Sequence, residues 1–296
     1  MLNLNLKFST RRKIFGFAII LPGLVGLIVF KIAPLIYSLI ISFTNYTTTG
    51  GFQNFVGFSN YSYLFSDPLF YQSAKNTVIF GLTLTAIQVI LALFYALLVT
   101  KDIIGQTFFR IAFFMPVVIS MAITSMIWGI LFSAEGGLFN SFLSVLNFSS
   151  QPFLTSSSQA MWALVAMVTW KGVGYWMIVF IAGIKGIPES LYEAAKIDGA
   201  NVVQAFFRIT LPLLKRVILF VTVADTAINF LIFAPVYLLT KGGPSGSTRL
   251  LSYYSYENAF IYGDMGYAAA ISVSLIILTG LVIGLQFRFM SADFEY

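Results

Sequence analysis

Six stretches of mainly apolar residues, each 21 to 30 residues long, constrain this chain more than any other feature of its sequence. A helix of that length crosses the apolar core of a bilayer, because it satisfies all of its backbone hydrogen bonds internally. Only 9% of the residues are charged, whereas a soluble domain carries about 25%. We therefore expect an all-α membrane protein with six transmembrane helices, at residues 14–43, 76–99, 111–132, 161–184, 213–239 and 267–287.

The first stretch has a second interpretation, as a cleaved signal peptide. Its basic prefix would suit one, with Lys7, Arg11, Arg12 and Lys13. A cleavage site, however, needs small residues two positions apart, and this run meets Lys31 and Pro34 instead. We therefore predict a retained first helix.

The distribution of Lys and Arg predicts the orientation of the spans. Twelve of these residues lie in the N-terminal tail, in the connections after spans two and four, and in the C-terminal tail, whereas four lie in the opposite connections. Connections rich in Lys and Arg stay in the cytoplasm. We expect cytoplasmic tails at 1–13 and 288–296 around a transmembrane domain at 14–287. The net charge of +6 is then a topology signal, and no nucleic-acid partner is expected.

The composition argues against chemistry in this chain. It has no His and no Cys, which removes disulfides, thiolate nucleophiles and the usual general base near neutral pH. A membrane enzyme would need carboxylates clustered at one depth, and the 11 acidic residues form no such cluster. No GxxxxGK[ST] phosphate-binding loop occurs either. We predict a protein that is not an enzyme, with no cofactor of its own.

The connection between spans four and five, at 185–212, is longer and more patterned than a helix hairpin needs. Pro188 and Glu189 suit a helix start, and Asp198 with Gly199 suits a turn. Beyond the turn, apolar residues at helical spacing predict a second short helix, and Pro212 suits the first turn of span five. One interpretation is a helix pair lying on the lipid headgroups. The other is a partner contact, since alanines allow close approach and Glu193 offers a charge-assisted contact.

The same connection resembles a known family. Glu193-Ala194-Ala195, three residues, Gly199, nine residues and then Ile209-Thr210-Leu211-Pro212 resembles the EAA loop of permease subunits in binding-protein-dependent ABC importers. The fuller motif, IPESLYEAAKIDGA, is similar to the branch that imports sugars, including maltose-type and glycerol-3-phosphate-type systems. The chain lacks the extra N-terminal spans and the large external domain of the maltose-type subunit, so it looks closer to the compact six-span members.

The resemblance implies an ABC type I importer permease fold in a bacterial cell membrane, with the EAA segment as a cytoplasmic coupling helix. Two ATPase subunits, which hold ATP and Mg²⁺, would receive this helix in a cleft. A second homologous permease would complete the pathway, and an extracellular solute-binding protein would deliver a sugar. Coupling to the ATPase would then fall to this part of the loop: Glu193, Ala194, Ala195, Asp198 and Gly199.

Polar residues near the middle of spans four and five are the other candidates for function. Lys171 and Asp225 are costly in a bilayer, and Asn229 lies one turn beyond Asp225. The two charged groups could form an ion pair that holds the spans together, or they could line a substrate path. By spacing from Glu193, Gly172 and Tyr175 fall where maltose-type permeases contact substrate.

Two questions stay open at this point. The sequence does not say which sugar is carried or whether that sugar is charged. The rival interpretation of the whole chain is a secondary transporter or channel that works alone, but it leaves the EAA loop without a role.

Overall fold

The computed structural model describes residues 8–52, 54–100 and 105–290. The outermost tails and Lys101, which was counted for the orientation, lie outside the described residues. The α-helices in the described part are α1 (Phe8–Leu27), α2 (Ala33–Ile41), α3 (Ser59–Ser66), α4 (Pro68–Thr100), α5 (Gln106–Val118), α6 (Met121–Leu131), α7 (Leu138–Val145), α8 (Ala160–Lys185), α9 (Glu189–Ile197), α10 (Val202–Ala205), α11 (Leu211–Leu213), α12 (Lys215–Asn229), α13 (Leu251–Tyr256) and α14 (Met265–Met290).

Four helices are long and apolar enough to cross a membrane, and each coincides with a predicted span. They are the segment Phe15–Ile41, which joins α1 to α2, together with α4, α8 and α14. The join is a π turn at Ile28–Ile32, where Pro34 has no N–H to continue the α-helical hydrogen bonds. Since α1 begins at Phe8 and α14 ends at Met290, positions 8–13 and 288–290 of the predicted tails are helical.

The third predicted span, 111–132, is a bent pair rather than one helix. Helices α5 and α6 meet at an angle of 102°. Pro116 lies near the end of α5, Ile119 is extended with ψ 138°, and the Ser120 side chain accepts a hydrogen bond from the N–H of Ile123 at the start of α6. The prediction of a continuous helix is therefore wrong, because an extended residue and a serine cap separate two shorter helices.

The fifth predicted span, 213–239, is also interrupted. Helix α12 has 15 residues and ends at Asn229, and the chain forms helical structure again in a π turn at Val236–Thr240. Residues 230–233 between the two helical parts form a turn and an irregular stretch, and helical structure resumes at Ala234, directly before Pro235 and the π turn. The six predicted spans thus correspond to four continuous helices, the bent pair α5–α6, and α12 with the π turn after it.

Helices α4 and α8 pack together along much of their length and form the centre of the fold. Two apolar clusters lie along them: one contains Leu84 and Leu164, and the other contains Ala96 and Phe180. Gly174 of α8 permits close contact with α5, because a Cβ atom there would lie 2.0 Å from the carbonyl oxygen of Phe113. The interior of the described part is therefore built around these two spans.

The first span is the exception to this packing. None of its apolar window is buried within the chain, whereas the windows of the other three continuous spans are 28–61% buried. Large side chains such as Phe17 and Phe30 are exposed along it. This helix contacts α14 through its α2 part and leaves most of its surface open to lipid or to another protein.

Candidate functional site

The segment between α8 and α12 has the predicted helix–turn–helix form. Helix α9 begins directly after Pro188 and ends at Ile197, and Asp198 is its C-cap. Gly199 has φ +80°, a left-handed conformation that side chains with a Cβ rarely adopt. Asn201 and Gln204 form a capping box at the start of α10, which the EAA pattern itself does not reveal. A π turn and α11 then lead into α12.

A hydrogen bond joins the two halves of this segment, and much of its surface is exposed. The hydroxyl groups of Tyr192 and Thr210 lie 2.9 Å apart and join the two halves of the segment. Beyond that contact, Ile197 is 86% exposed and Val202 73% exposed. Glu193 is also exposed. Exposed apolar side chains beside an exposed carboxylate are typical of a surface that another protein covers.

Lys171 of α8 supports the break in the third span. Its Nζ atom donates to the carbonyl oxygen of Ile119 at 2.6 Å, to that of Val117 at 3.1 Å and to that of Pro116 at 3.4 Å. These carbonyl groups lie at the end of α5, where the regular α-helical hydrogen bonds stop, and that of Pro116 also accepts from the N–H of Ile119 at 3.3 Å. An ammonium group at a helix C-terminus is also favoured by the helix dipole. Among the residues that the structure describes, Lys171 has no carboxylate partner.

Asp225 of α12 has a different set of partners. Its Oδ1 atom accepts a hydrogen bond from the indole Nε1 of Trp176 at 2.7 Å, and only 1% of the residue is exposed. One turn along, Asn229 donates to Thr85 at 3.0 Å and to Gln88 at 3.1 Å, both on α4. The ion pair between Lys171 and Asp225 that we considered from the sequence is therefore absent. The Lys171 ammonium donates to backbone carbonyl groups of the third span, and Asp225 bonds to Trp176 through Oδ1, while its buried Oδ2 atom has no hydrogen-bond partner in the described part of the chain.

The five predicted path residues fall into two sets. Tyr175 is 49% exposed, and Lys171 and Gly172 are partly exposed, so these three reach the surface of α8. Asp225 and Asn229 are buried among other helices and do not reach that surface. Trp170, 42% exposed, lies beside the first set.

Sequence analysis missed the polar partners that complete this interior network. Gln88 also donates to the carbonyl oxygen of Val168 on α8 at 2.9 Å, and Gln286 on α14 donates to Thr226 on α12 at 2.7 Å. A glutamine inside an otherwise apolar span was the available signal, since an amide in a bilayer needs partners. The network joins α4, α8, α12 and α14.

A second buried polar cluster lies near the start of α4, outside the spans' centres. Asp67 accepts hydrogen bonds from the hydroxyl groups of Tyr254 and Tyr267 through one oxygen, and from the N–H of Leu69 through the other. The pKa of Tyr254 is raised well above its usual range, mainly by burial and to a smaller extent by the hydrogen bond to Asp67. The cluster ties α3 and α4 to α13 and α14.

The chain is similar to known transport proteins over nearly its whole length. The family model described as "Binding-protein-dependent transport system inner membrane component" matches residues 89–291. The probable ABC transporter permease protein YurN of Bacillus subtilis is 32% identical over 96% of this chain and 99% of its own length. The trehalose/maltose transport system permease protein MalF of Thermococcus litoralis is 33% identical, covering 93% of both chains. The lactose transport system permease protein LacF of Rhizobium radiobacter is 34% identical, covering 92% of both.

The fold agrees with these sequence relationships. A chain from the crystal structure of a bacterial ABC transporter involved in the import of the acidic polysaccharide alginate superimposes with a TM-score of 0.81, at 22% identity, over 97% of this chain and 98% of that one. The expected importer permease fold is thereby confirmed. The chain belongs to the family of binding-protein-dependent transport system inner membrane components, and it is a permease subunit of an ABC transporter.

Proposed function

We propose that this permease forms half of the translocation pathway for a sugar or oligosaccharide, in an importer driven by two cytoplasmic ATPase subunits. ATP and Mg²⁺ would bind on those subunits. An extracellular solute-binding protein would deliver the substrate. The relatives that carry trehalose, maltose and lactose support the sugar class.

The observation that carries this proposal is the exposed face of α9 and the turn after it. Helix α9 projects from the bundle with Glu193 and Ala194 exposed, and the apolar side chains of Ile197 and Val202 extend the same segment. Such a surface fits a groove in another protein, with apolar contacts and one charged contact. We assign Glu193 the polar contact to the ATPase, and Gly199 the turn that sets the angle of α9.

Co-purification with the ATPase subunit tests this assignment. We expect Glu193→Ala to weaken retention of the ATPase by about tenfold or more, since a hydrogen bond to a charged group contributes about 1.5–3 kcal/mol. Glu189→Ala is the matched control, because Glu189 is an exposed carboxylate at the start of the same helix. A wild-type chain that retained no ATPase, or that transported without one, would overturn the proposal in favour of a stand-alone transporter or channel.

The substrate path is proposed to pass α8 at Lys171, Gly172 and Tyr175, where Tyr175 is exposed and Gly172 lies against Gln88 of α4. Aromatic faces with a few polar groups are typical of concave sites for small molecules. We therefore expect Tyr175→Ala to reduce transport while the assembled complex keeps its ATPase subunits. Loss of the complex in this variant would instead assign Tyr175 to the interface between the two permeases.

The proposed orientation, with both termini in the cytoplasm of a bacterial cell, rests on the distribution of Lys and Arg. It places α9 on the cytoplasmic side. Because the chain has no cysteine, single substitutions such as Ser190→Cys and Thr48→Cys can be labelled without background. We expect a thiol reagent that cannot cross the membrane to label position 48 in whole cells and position 190 only in opened cells. The opposite pattern would invert the topology.

A second homologous permease is proposed as the other half of the pathway. The first span supports it, because none of its apolar window is buried within its own chain and most of its surface can receive a neighbouring subunit. Co-expression with a candidate second permease should stabilise the complex against detergent. A chain that was complete as a monomer, with full transport, would contradict this part of the proposal.

A further inference from the structure

The two helices that flank the coupling segment are joined close to it. Helix α8 ends where the segment begins, and α12 starts where it ends. At Gly183 of α8, a Cβ atom would lie 3.0 Å from side-chain atoms of both Leu214 and Val217. That distance is shorter than ordinary van der Waals contact. Glycine at position 183 therefore lets α8 approach the start of α12 more closely than a residue with a side chain would allow.

The same two helices are joined again two turns deeper. The indole of Trp176 donates to Asp225 at 2.7 Å, with Trp176 4% and Asp225 1% exposed. Water does not compete at such a site, so the hydrogen bond is electrostatically stronger than one at the surface. Between the two levels, Phe180 and Val221 belong to one buried apolar cluster.

We propose that Trp176 and Asp225 are positioning residues that tie α8 and α12 into one rigid lever, so that a displacement of α9 reaches the middle of both spans. This inference rests on the proposed function, in which α9 contacts the ATPase. It gives the buried carboxylate a role other than substrate contact. Without a tie at depth, a push on the coupling segment would be absorbed by bending of α12, which is only 15 residues long.

The interior network extends the lever to neighbouring helices. Asn229 of α12 reaches Thr85 and Gln88 of α4, and Gln88 donates in turn to the backbone of α8. Packed interiors transmit displacement because they are as dense as molecular crystals. Polar side chains of α4 and α12, with a backbone carbonyl of α8, therefore hold α12 one turn beyond the tie itself.

A disulfide across the lever tests whether it moves as one body. The double variant Gly183→Cys/Val217→Cys places two thiols at a contact compatible with disulfide geometry, in a chain that otherwise has no cysteine. We expect the oxidised complex, with cysteine-free partner subunits, to transport within about twofold of the reduced complex, since the bond links parts that do not separate. Arrest on oxidation that is reversed by a reductant would overturn the proposal. The two single variants control for oxidation elsewhere.

Removal of the deeper tie tests the roles of the two residues. Trp176→Phe deletes the N–H and keeps a ring, so we expect transport per ATP hydrolysed to fall about tenfold while ATPase subunits stay bound. Asp225→Asn keeps an oxygen that accepts the indole hydrogen bond and should retain most of the wild-type ratio. Trp162→Phe, on the exposed face of α8, is the matched indole control.

The outcomes separate the lever from the proposed function. A Trp176→Phe complex that kept its ATPase and transported as much per ATP as wild type would refute the lever alone. A wild-type complex without an ATPase would refute the proposed function, whatever the variants did. If Trp176→Phe simply fails to fold, it also loses its ATPase subunits. The disulfide experiment then decides whether α8 and α12 move as one body.

Discussion

Replacement of Lys171 by methionine is the sharpest test of how the broken third span is held. The variant keeps an unbranched side chain of similar length but removes the donors to the carbonyl oxygens at the end of α5. Two of the three contacts, at 2.6 and 3.1 Å, are good hydrogen bonds, whereas the one at 3.4 Å is long. Hydrogen bonds between membrane helices average about 0.6 kcal/mol and reach about 1.7. The variant should therefore lose about 1–3 kcal/mol, or about 5- to 150-fold in the unfolding equilibrium.

The assay is the unfolding midpoint of the purified chain in detergent, followed by transport in the assembled complex. Lys185→Met is the matched control, because Lys185 lies at the exposed end of the same helix. We expect Lys171→Met alone to lower the midpoint. If Lys171→Met unfolded like the control and still lost transport in an assembled complex, Lys171 would be a substrate contact and the support argued here would be refuted.

Three further substitutions have outcomes fixed by the geometry. Gly174→Ala should destabilise the chain by about 1–3 kcal/mol through overlap with a backbone carbonyl of α5. The control Gly284→Ala, with nothing within 4 Å of the new Cβ, should not lower the thermal unfolding midpoint. Equal midpoints for the two variants would contradict this expectation. Gly199→Ala forces a left-handed conformation that costs about 1–2 kcal/mol, and should lower ATPase retention in co-purification; undiminished retention would show that the turn is not needed. Asp67→Asn should lower the midpoint by weakening the hydrogen bond from Tyr254. Because the carboxylate helps to raise the pKa of Tyr254, this phenol should also titrate at lower pH in an ultraviolet titration. An unchanged titration would refute the role of Asp67 in raising that pKa.

The helices predicted best are those whose signal is local. Continuous apolar runs identified α4, α8 and α14, with errors of up to three residues at their ends except that α4 begins eight residues before the predicted start. The helix α9 was predicted from Pro188, Glu189 and the turn at Gly199, all of which act through neighbouring residues. Local chemistry was sufficient in both cases.

The interruptions could not be read in the same way. The runs 111–132 and 213–239 are as apolar as the others, and hydropathy does not distinguish a bent pair from a straight helix. Pro116 and Pro235 were visible in the sequence, but a proline inside a membrane helix is tolerated when neighbouring groups satisfy the freed carbonyls. Here the deciding group, Lys171, lies on another helix.

The candidate path was only half predictable for a related reason. Spacing from Glu193 indicated one side of α8, and Tyr175 does reach an exposed surface. The partners of Asp225 and Asn229, however, come from α4 and α8, and a contact between distant segments leaves no periodic signal in either. Charge alone offered an ion pair between Lys171 and Asp225 as one of two alternatives, whereas backbone carbonyls and an indole, which carry no charge, proved to be their partners.

The broken third span also determines the order in which parts of the chain can be fixed in place during synthesis. The ammonium group that supports the end of α5 is 52 residues further along the chain than the carbonyl of Ile119. At about 5–20 residues per second, a ribosome needs about 3–10 seconds to make that stretch. During this interval α5 and α6, of 13 and 11 residues, are each shorter than a bilayer-crossing helix and have an unsupported bend. The nascent chain must therefore be held at the insertion machinery, or wait in a different arrangement, until α8 emerges and the bend can be fixed in place.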